Sequence, residues 1–193
     1  TAFSLSSFLS GCGGVVNVTN PQENKLPEGS YSGSIYCLNE LVQDGEGQGW
    51  EDPVTLWVIL DIDKEGLASL YVPSYGQIFS KAQVGGTYDF DFGALGEITK
   101  VSFNNNSFED PFADFISSHN LPLSKFNNYN CSNPASVLII SSSLSTNFVD
   151  INAETVIKNC GQNNIGLEIL EPAHYQNSTT DSDTVCAGNL QKN

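Results

Sequence analysis

Apolar and polar residues alternate along much of the chain after residue 28. In the stretch 85–93, Tyr88 and Phe90 fall on one face of an extended chain while Asp89 falls on the other, the pattern of a strand with one buried face. Seven further stretches have the period or the composition of strands, at residues 29–37, 53–63, 66–74, 97–105, 135–143, 146–159 and 165–173. Their regular spacing predicts eight or nine antiparallel strands.

A single stretch predicts a helix. Asp110 suits the N-cap and Pro111 the first helical position, and Phe112, Phe115 and Ile116 then share one face. The chain is therefore expected to be all-β, a single antiparallel β-barrel or β-sandwich with one short helix. The pattern does not distinguish a barrel from a sandwich.

The chain divides into two parts. Residues 1–28 predict an N-terminal apolar segment followed by a polar linker with two prolines, and residues 29–193 predict the β domain. Residues 176–184 are polar and predict a C-terminal tail that a disulfide at Cys186 would hold. Gly29, Tyr31 and Gly33 resemble the G-x-Y-x-G opening of lipocalin-like and related small envelope barrels.

The charge of the chain excludes several classes of partner. Its 193 residues contain 22 acidic and 7 basic side chains, no arginine and a formal net charge of -15. Nucleic acid and anionic membrane surfaces attract basic proteins, so neither is an expected partner. The absence of arginine also argues against sites for phosphate or carboxylate groups.

Five cysteines without C-x-x-C spacing predict disulfides and an oxidising, extracytoplasmic location. The number of cysteines is odd, so one of them has no partner within the chain. The sequence Leu9-Ser10-Gly11-Cys12 resembles the lipobox of bacterial lipoproteins, which would account for the fifth cysteine. This resemblance implies that Cys12 is lipidated, and that the membrane partner is reached through a lipid anchor. The location would then be the outer membrane, the periplasm or the cell surface.

A second interpretation of the N-terminal segment uses its apolar residues as an assembly arm. Phe3, Leu5, Phe8 and Leu9 are interspersed with serines, and Phe3 and Leu5 have the spacing of an extended strand. Such an arm could complete the sheet of a neighbouring copy, as in filaments built by strand donation.

With Cys12 set aside, the four remaining cysteines allow three pairings. A hairpin between 135–143 and 146–159 that turns near Ser143 to Ser145 would bring Cys131 close to Cys160. Cys37 would then pair with Cys186 and pin the polar tail to the first strand.

The acidic loop 44–52 contains the remaining candidate chemistry. Its oxygen ligands for calcium would be Asp44, Glu46, Glu51 and Asp52, although an acidic loop exposed to solvent accounts for the same residues. Trp50 in this loop could stack on a sugar ring or be buried as a plug. The sequence contains no G-x-S-x-G nucleophile elbow.

The expected function is that of a non-enzymatic, exported cell-envelope or surface protein with a structural or binding role. It would be attached through its N-terminal segment and would need no cofactor, unless the acidic loop binds calcium. The alternatives are an extracellular filament subunit and a carbohydrate-directed binding module or hydrolase.

Overall fold

The computed structural model describes residues 25–43, 46–50, 53–90, 93–104, 109–126, 129–176 and 181–193, with the backbone alone for the described part of 40–50. The strands are β1 (Gly29–Gln43), β2 (Glu46–Trp50), β3 (Val54–Ile62), β4 (Ala68–Val72), β5 (Gly76–Phe79), β6 (Thr87–Phe90), β7 (Ala94–Asn104), β8 (Val137–Ser145), β9 (Val149–Gly161), β10 (Asn164–Tyr175) and β11 (Asp181–Lys192). The helix α1 (Pro111–Ser118) follows β7, and a 3-10 turn spans Leu123–Lys125.

All the strands belong to one antiparallel sheet that curves into a nearly closed barrel. Along the sheet the order is β5-β4-β3-β1-β11-β10-β9-β8-β7-β6, and β2 pairs with β1 outside this path. The two end strands, β5 and β6, approach each other without pairing. The all-β prediction is confirmed, and the architecture is a barrel of ten strands with β2 added, against the eight or nine predicted. Sequence reasoning missed β2 and β5, which are short, and also β11.

Inward-facing side chains of alternate strand positions fill the barrel. Tyr88 lies at the centre of an aromatic group, with its ring centroid 5.7 Å from that of Phe79 and 4.8 Å from that of Phe90. Tyr31 of β1 is buried and donates its hydroxyl hydrogen to the carbonyl oxygen of Pro27 at 3.0 Å. Leu26 is also buried in this core, so the last residues of the predicted linker are part of the domain.

A second apolar cluster lies on the outer surface, where α1 covers part of the sheet. Phe112 and Ile116 of the helix pack with Leu38, Val185 and other outward-facing residues of β1, β10 and β11. The helix begins as predicted, because Asp110 accepts a hydrogen bond from the backbone N–H of Ala113. This second layer explains why several strands are apolar on both faces.

The predicted polar tail is wrong for residues 181–184, which begin strand β11. Strand β11 pairs with β1 on one side and with β10 on the other, and so joins the first and last described strands within the barrel. Val185 faces the outer cluster, while Cys186 and Leu190 face the barrel core. Aspartate and serine before these residues, and glycine and asparagine between Cys186 and Leu190, conceal the strand pattern in the sequence.

The two disulfides join Cys37 to Cys186 and Cys131 to Cys160, the pairs that the hairpin argument predicts. The turn itself lies later than predicted, between Thr146 and Val149. The Thr146 hydroxyl oxygen accepts hydrogen bonds from the backbone N–H groups of Phe148 and Val149, and this side-chain bonding fixes the turn. As a result Cys131 lies in the loop before β8 rather than in the ladder opposite Cys160.

Candidate functional site

A cavity of about 170 Å³ lies inside one end of the barrel. Its walls come from inward-facing positions of five strands, β1, β3, β4, β10 and β11, and its edge from β5, β6 and the β4–β5 turn. The apolar lining residues are Ile35, Val54, Leu56, Leu70, Val72, Ile78 and Ile169, together with the disulfide Cys37–Cys186. The space therefore lies within the core and has a largely apolar lining.

Aromatic packing ends the cavity on its inner side. Tyr88 on β6 lines the cavity and forms a hydrogen bond of 3.2 Å between its hydroxyl group and the Thr155 hydroxyl on β9. This bond crosses the barrel between strands that are not neighbours in the sheet. It satisfies two polar groups that are buried in the apolar interior.

Polar side chains surround the outer part of the cavity. The Thr184 hydroxyl donates to the Asn39 side-chain oxygen at 3.0 Å, which links β11 to β1. Asp89 and Glu171 contribute carboxyl groups, and the Oδ1 atom of Asp89 is buried without a hydrogen-bond partner among the described residues. Tyr75, which is 54% exposed, lies beside this opening.

The electrostatic character of the opening is acidic. Two carboxyl groups line it, and none of the lining residues that the structure describes is basic. The formal charge of -15 adds a negative potential from the rest of the chain. A cationic group is therefore attracted to the opening, whereas an anionic group is repelled.

The volume sets the size of the group that the cavity could hold. An apolar cavity of roughly 150 Å³ is enough to bind benzene in other proteins. At about 170 Å³, this cavity has room for one aromatic ring or a short branched alkyl chain. Such a group would contact only carbon and sulfur on most sides.

The structure brings one predicted pair into this site, because Cys37 and Cys186 form part of its wall. The backbone of Trp50 ends β2 opposite Glu40, but its side chain lies outside the described residues. The calcium candidates Asp44, Glu51 and Asp52 also lie outside them, and Glu46 is described by its backbone alone. Residues 1–24 lie wholly outside the described part of the chain. They include Cys12 and the proposed arm of Phe3, Leu5, Phe8 and Leu9.

Sequence reasoning missed Glu171, one of the two acidic residues of the opening. Glu171 belongs to the inward face of β10, where it follows Leu167 and Ile169 at intervals of two residues. A carboxylate in phase with buried apolar residues is a detectable signal. In the stretch 165–173 this signal is hard to see, because Glu168 lies on the opposite face and the two glutamates together obscure the alternation.

Neither a membrane helix nor a metal cluster is found in the described parts of the chain. No helix there has the length and apolarity needed to cross a membrane. No three histidine, cysteine, aspartate or glutamate side chains in the described ranges are grouped as metal ligands would be.

Comparison with known proteins identifies no relative: no family model, no curated protein and no solved structure matches this chain.

Proposed function

We propose that this protein is an exported, non-enzymatic binding protein of the cell envelope that holds a small apolar ligand bearing a positive charge. The observation that carries this proposal is the cavity of about 170 Å³ with apolar walls and an acidic opening. The ligand's ring or alkyl chain would lie against Leu70 and Ile78, and its ammonium group beside Glu171 and Asp89. Apolar burial supplies affinity, and the carboxylates select the charge.

Attachment through the N-terminal segment is part of the proposal. The disulfides indicate an oxidising compartment, and the lipobox-like sequence ending at Cys12 supports anchoring in a membrane. A barrel tethered in this way would hold its ligand near the membrane surface. Intact mass of Cys12-containing protein isolated from its own host would distinguish an acylated chain from one that starts at Thr1 or earlier.

The ligand proposal is tested by calorimetric titration with three compounds of nearly equal shape: benzylamine, benzyl alcohol and benzoate. We expect binding in the order benzylamine, then benzyl alcohol, with no measurable binding of benzoate. Val72→Phe should abolish binding of benzylamine and of benzyl alcohol, because the larger side chain occupies the cavity. The double variant Asp89→Asn, Glu171→Gln should bind benzylamine no better than benzyl alcohol.

Glu154→Gln provides the matched control, because it removes one negative charge from β9 outside the cavity lining. It should leave all three titrations unchanged. Equal binding of benzoate and benzylamine, or unchanged binding by the Val72→Phe variant, would contradict the proposal.

A further inference from the structure

A cluster of reactive side chains lies beneath α1, on the outer face of the barrel and away from the cavity. Lys158 of β9 is 3% exposed, and its Nζ atom lies 2.5 Å from Oδ2 of Asp110, which is 26% exposed. The same Nζ atom contacts Oε1 of Glu168 on β10, whose side chain is 1% exposed. An amine, a carboxyl group and a second, buried carboxyl group therefore meet at one point.

Aromatic rings cover Lys158 and Glu168, while Asp110 lies at the open edge of the cluster. Phe112 is 2% exposed and Phe126 is 1% exposed, and the Phe112 ring lies 5.7 Å from that of Tyr129. The Tyr129 hydroxyl donates its hydrogen to Glu168 Oε1. Burying a charged amine and two carboxylates is costly unless the charges are removed, so the surroundings favour a neutral product.

We propose that Lys158 and Asp110 condense to form an intramolecular amide, with Glu168 transferring the proton, so that a covalent cross-link ties β9 to the start of α1. This modification is independent of the ligand proposal, because none of the three residues lines the barrel cavity.

The reaction balances without any further reagent. Glu168 takes one proton from the Lys158 ammonium group, and the nitrogen lone pair then attacks Cγ of Asp110. The bond between Cγ and Oδ2 breaks as the new C–N bond forms, and Oδ2 leaves as water with two of the ammonium protons, one of them delivered by Glu168. An ammonium and a carboxylate thus become one amide and one water, with no change in total charge and no redox step.

The position of each group suits this reaction. Oδ1 of Asp110 accepts the backbone N–H of Ala113 at 3.3 Å, at the N-terminus of α1. A donor and a helix N-terminus stabilise negative charge on that oxygen during the attack. Oδ1 also becomes the amide oxygen, so the helix cap is kept after the bond forms.

Glu168 is suited to moving the proton. Burial raises the pKa of its carboxyl group to about 7 against the opposing effect of Lys158, and a base with a pKa near neutrality both accepts and returns a proton readily. Its Oε2 atom has no hydrogen-bond partner among the described residues. The cluster borders an open groove along α1, which gives the released water a way out.

Proximity supplies the rate that the same groups lack in free solution. Well-oriented intramolecular reactions have effective molarities of about 10⁵ to 10⁸ M, so the attack on Asp110 does not wait for a chance encounter. The loss of two buried charges then favours the amide over the ion pair. The aromatic cover then protects the amide from hydrolysis.

Intact mass of the wild-type protein, reduced and alkylated in denaturant, is the first test. We expect a mass lower by one water than that of the fully alkylated sequence. Succinimide formation at Asp110 would also remove one water, but Pro111 has no backbone N–H to form it. Trypsin should fail to cleave after the acylated Lys158 and should release residues 101–125 joined to residues 126–192.

The sequence contains an internal control. It has two Asp–Pro bonds, Asp52–Pro53 and Asp110–Pro111, and dilute acid cleaves such bonds through the free aspartate carboxyl group. In the denatured wild-type protein we expect cleavage at Asp52 and protection at Asp110.

Asp110→Ala, Lys158→Met and Glu168→Gln should each restore the full mass. Lys158→Met and Glu168→Gln keep the Asp110–Pro111 bond and should also restore acid cleavage there. Asp114→Ala, which removes an exposed carboxylate from the same helix, should keep the cross-link. The proposal is overturned if the wild-type protein has its full mass and both Asp–Pro bonds are cleaved. That result needs no variant to fold and leaves the ligand proposal untouched.

Discussion

The buried carboxyl group of Glu168 should make the stability of the protein depend on pH. Burial raises its pKa from 4.5 to about 7, so between these values the folded protein binds a proton that the unfolded chain releases. A raised carboxyl pKa stabilises the fold fully below about pH 4.5, and that stabilisation is lost as the pH rises through about 7. Stability attributable to this group therefore falls with increasing pH.

The size of the effect follows from the shift. Each pKa unit corresponds to about 1.4 kcal/mol, so the change from 4.5 to about 7 amounts to about 3 kcal/mol across the window. The groups facing Glu168 are Lys158, Asp110 and Tyr129. Of these, only the Lys158 ammonium lowers the Glu168 pKa by its charge, so converting it to an amide would raise that pKa further and extend the window upward.

Urea unfolding at a series of pH values, applied to Asp110→Ala and to the double variant Asp110→Ala, Glu168→Gln, measures this effect with the proposed cross-link absent from both proteins. Glutamine keeps the shape of the side chain and removes the titration, so the difference in slope isolates Glu168 from the many other carboxylates. We expect the free energy of unfolding of Asp110→Ala to fall relative to that of the double variant as the pH rises. Parallel curves, or an Asp110→Ala curve that rises relative to the double variant, would refute the reasoning.

Two further predictions concern the covalent and steric constraints of the barrel. Replacing Cys37 and Cys186 by serine should lower the free energy of unfolding by about 5 kcal/mol, and replacing Cys131 and Cys160 by about 3.5 kcal/mol. The first effect is larger because that disulfide closes a loop of 149 residues and the other a loop of 29. A reversed order in urea midpoints would contradict this. Gly188→Ala should destabilise by about 1–3 kcal/mol, since its Cβ would lie 2.4 Å from the Ser34 carbonyl oxygen. Gly93→Ala meets nothing within 4 Å and should change thermal stability little; equal effects of the two would refute the close approach of β1 and β11.

Periodicity in the sequence predicted most of the sheet and the helix, because those elements each bury one clear apolar face. It failed for β11, where Asp181, Ser182 and Asp183 precede the buried residues and resemble a tail. The strand is central only because β1 and β10 cover both of its edges. Pairing between strands that lie so far apart in the sequence leaves no local signal.

The candidate sites were hidden for a related reason. Asp110 lies 48 residues from Lys158 along the chain, and the two meet only because α1 folds back over β9 and β10. Glu171 lines the cavity because it falls on the inward face of β10. A shift of one residue in strand register would place it on the outward face. The cysteine pairs, by contrast, followed from a hairpin that exists, even though its turn lies between Thr146 and Val149 rather than near Ser143 to Ser145.

The central claim is that the barrel end binds a small apolar cation, and amide chemical shifts of the ¹⁵N-labelled protein during a benzylamine titration test it most directly. Saturable shifts should concentrate on residues of the cavity wall, such as Val72, Ile78 and Ile169. The amide chemical shifts of residues in and beneath α1, such as Phe112 and Lys158, should not change. Shifts spread over the acidic surface without saturation, or none in the cavity wall, would contradict the account.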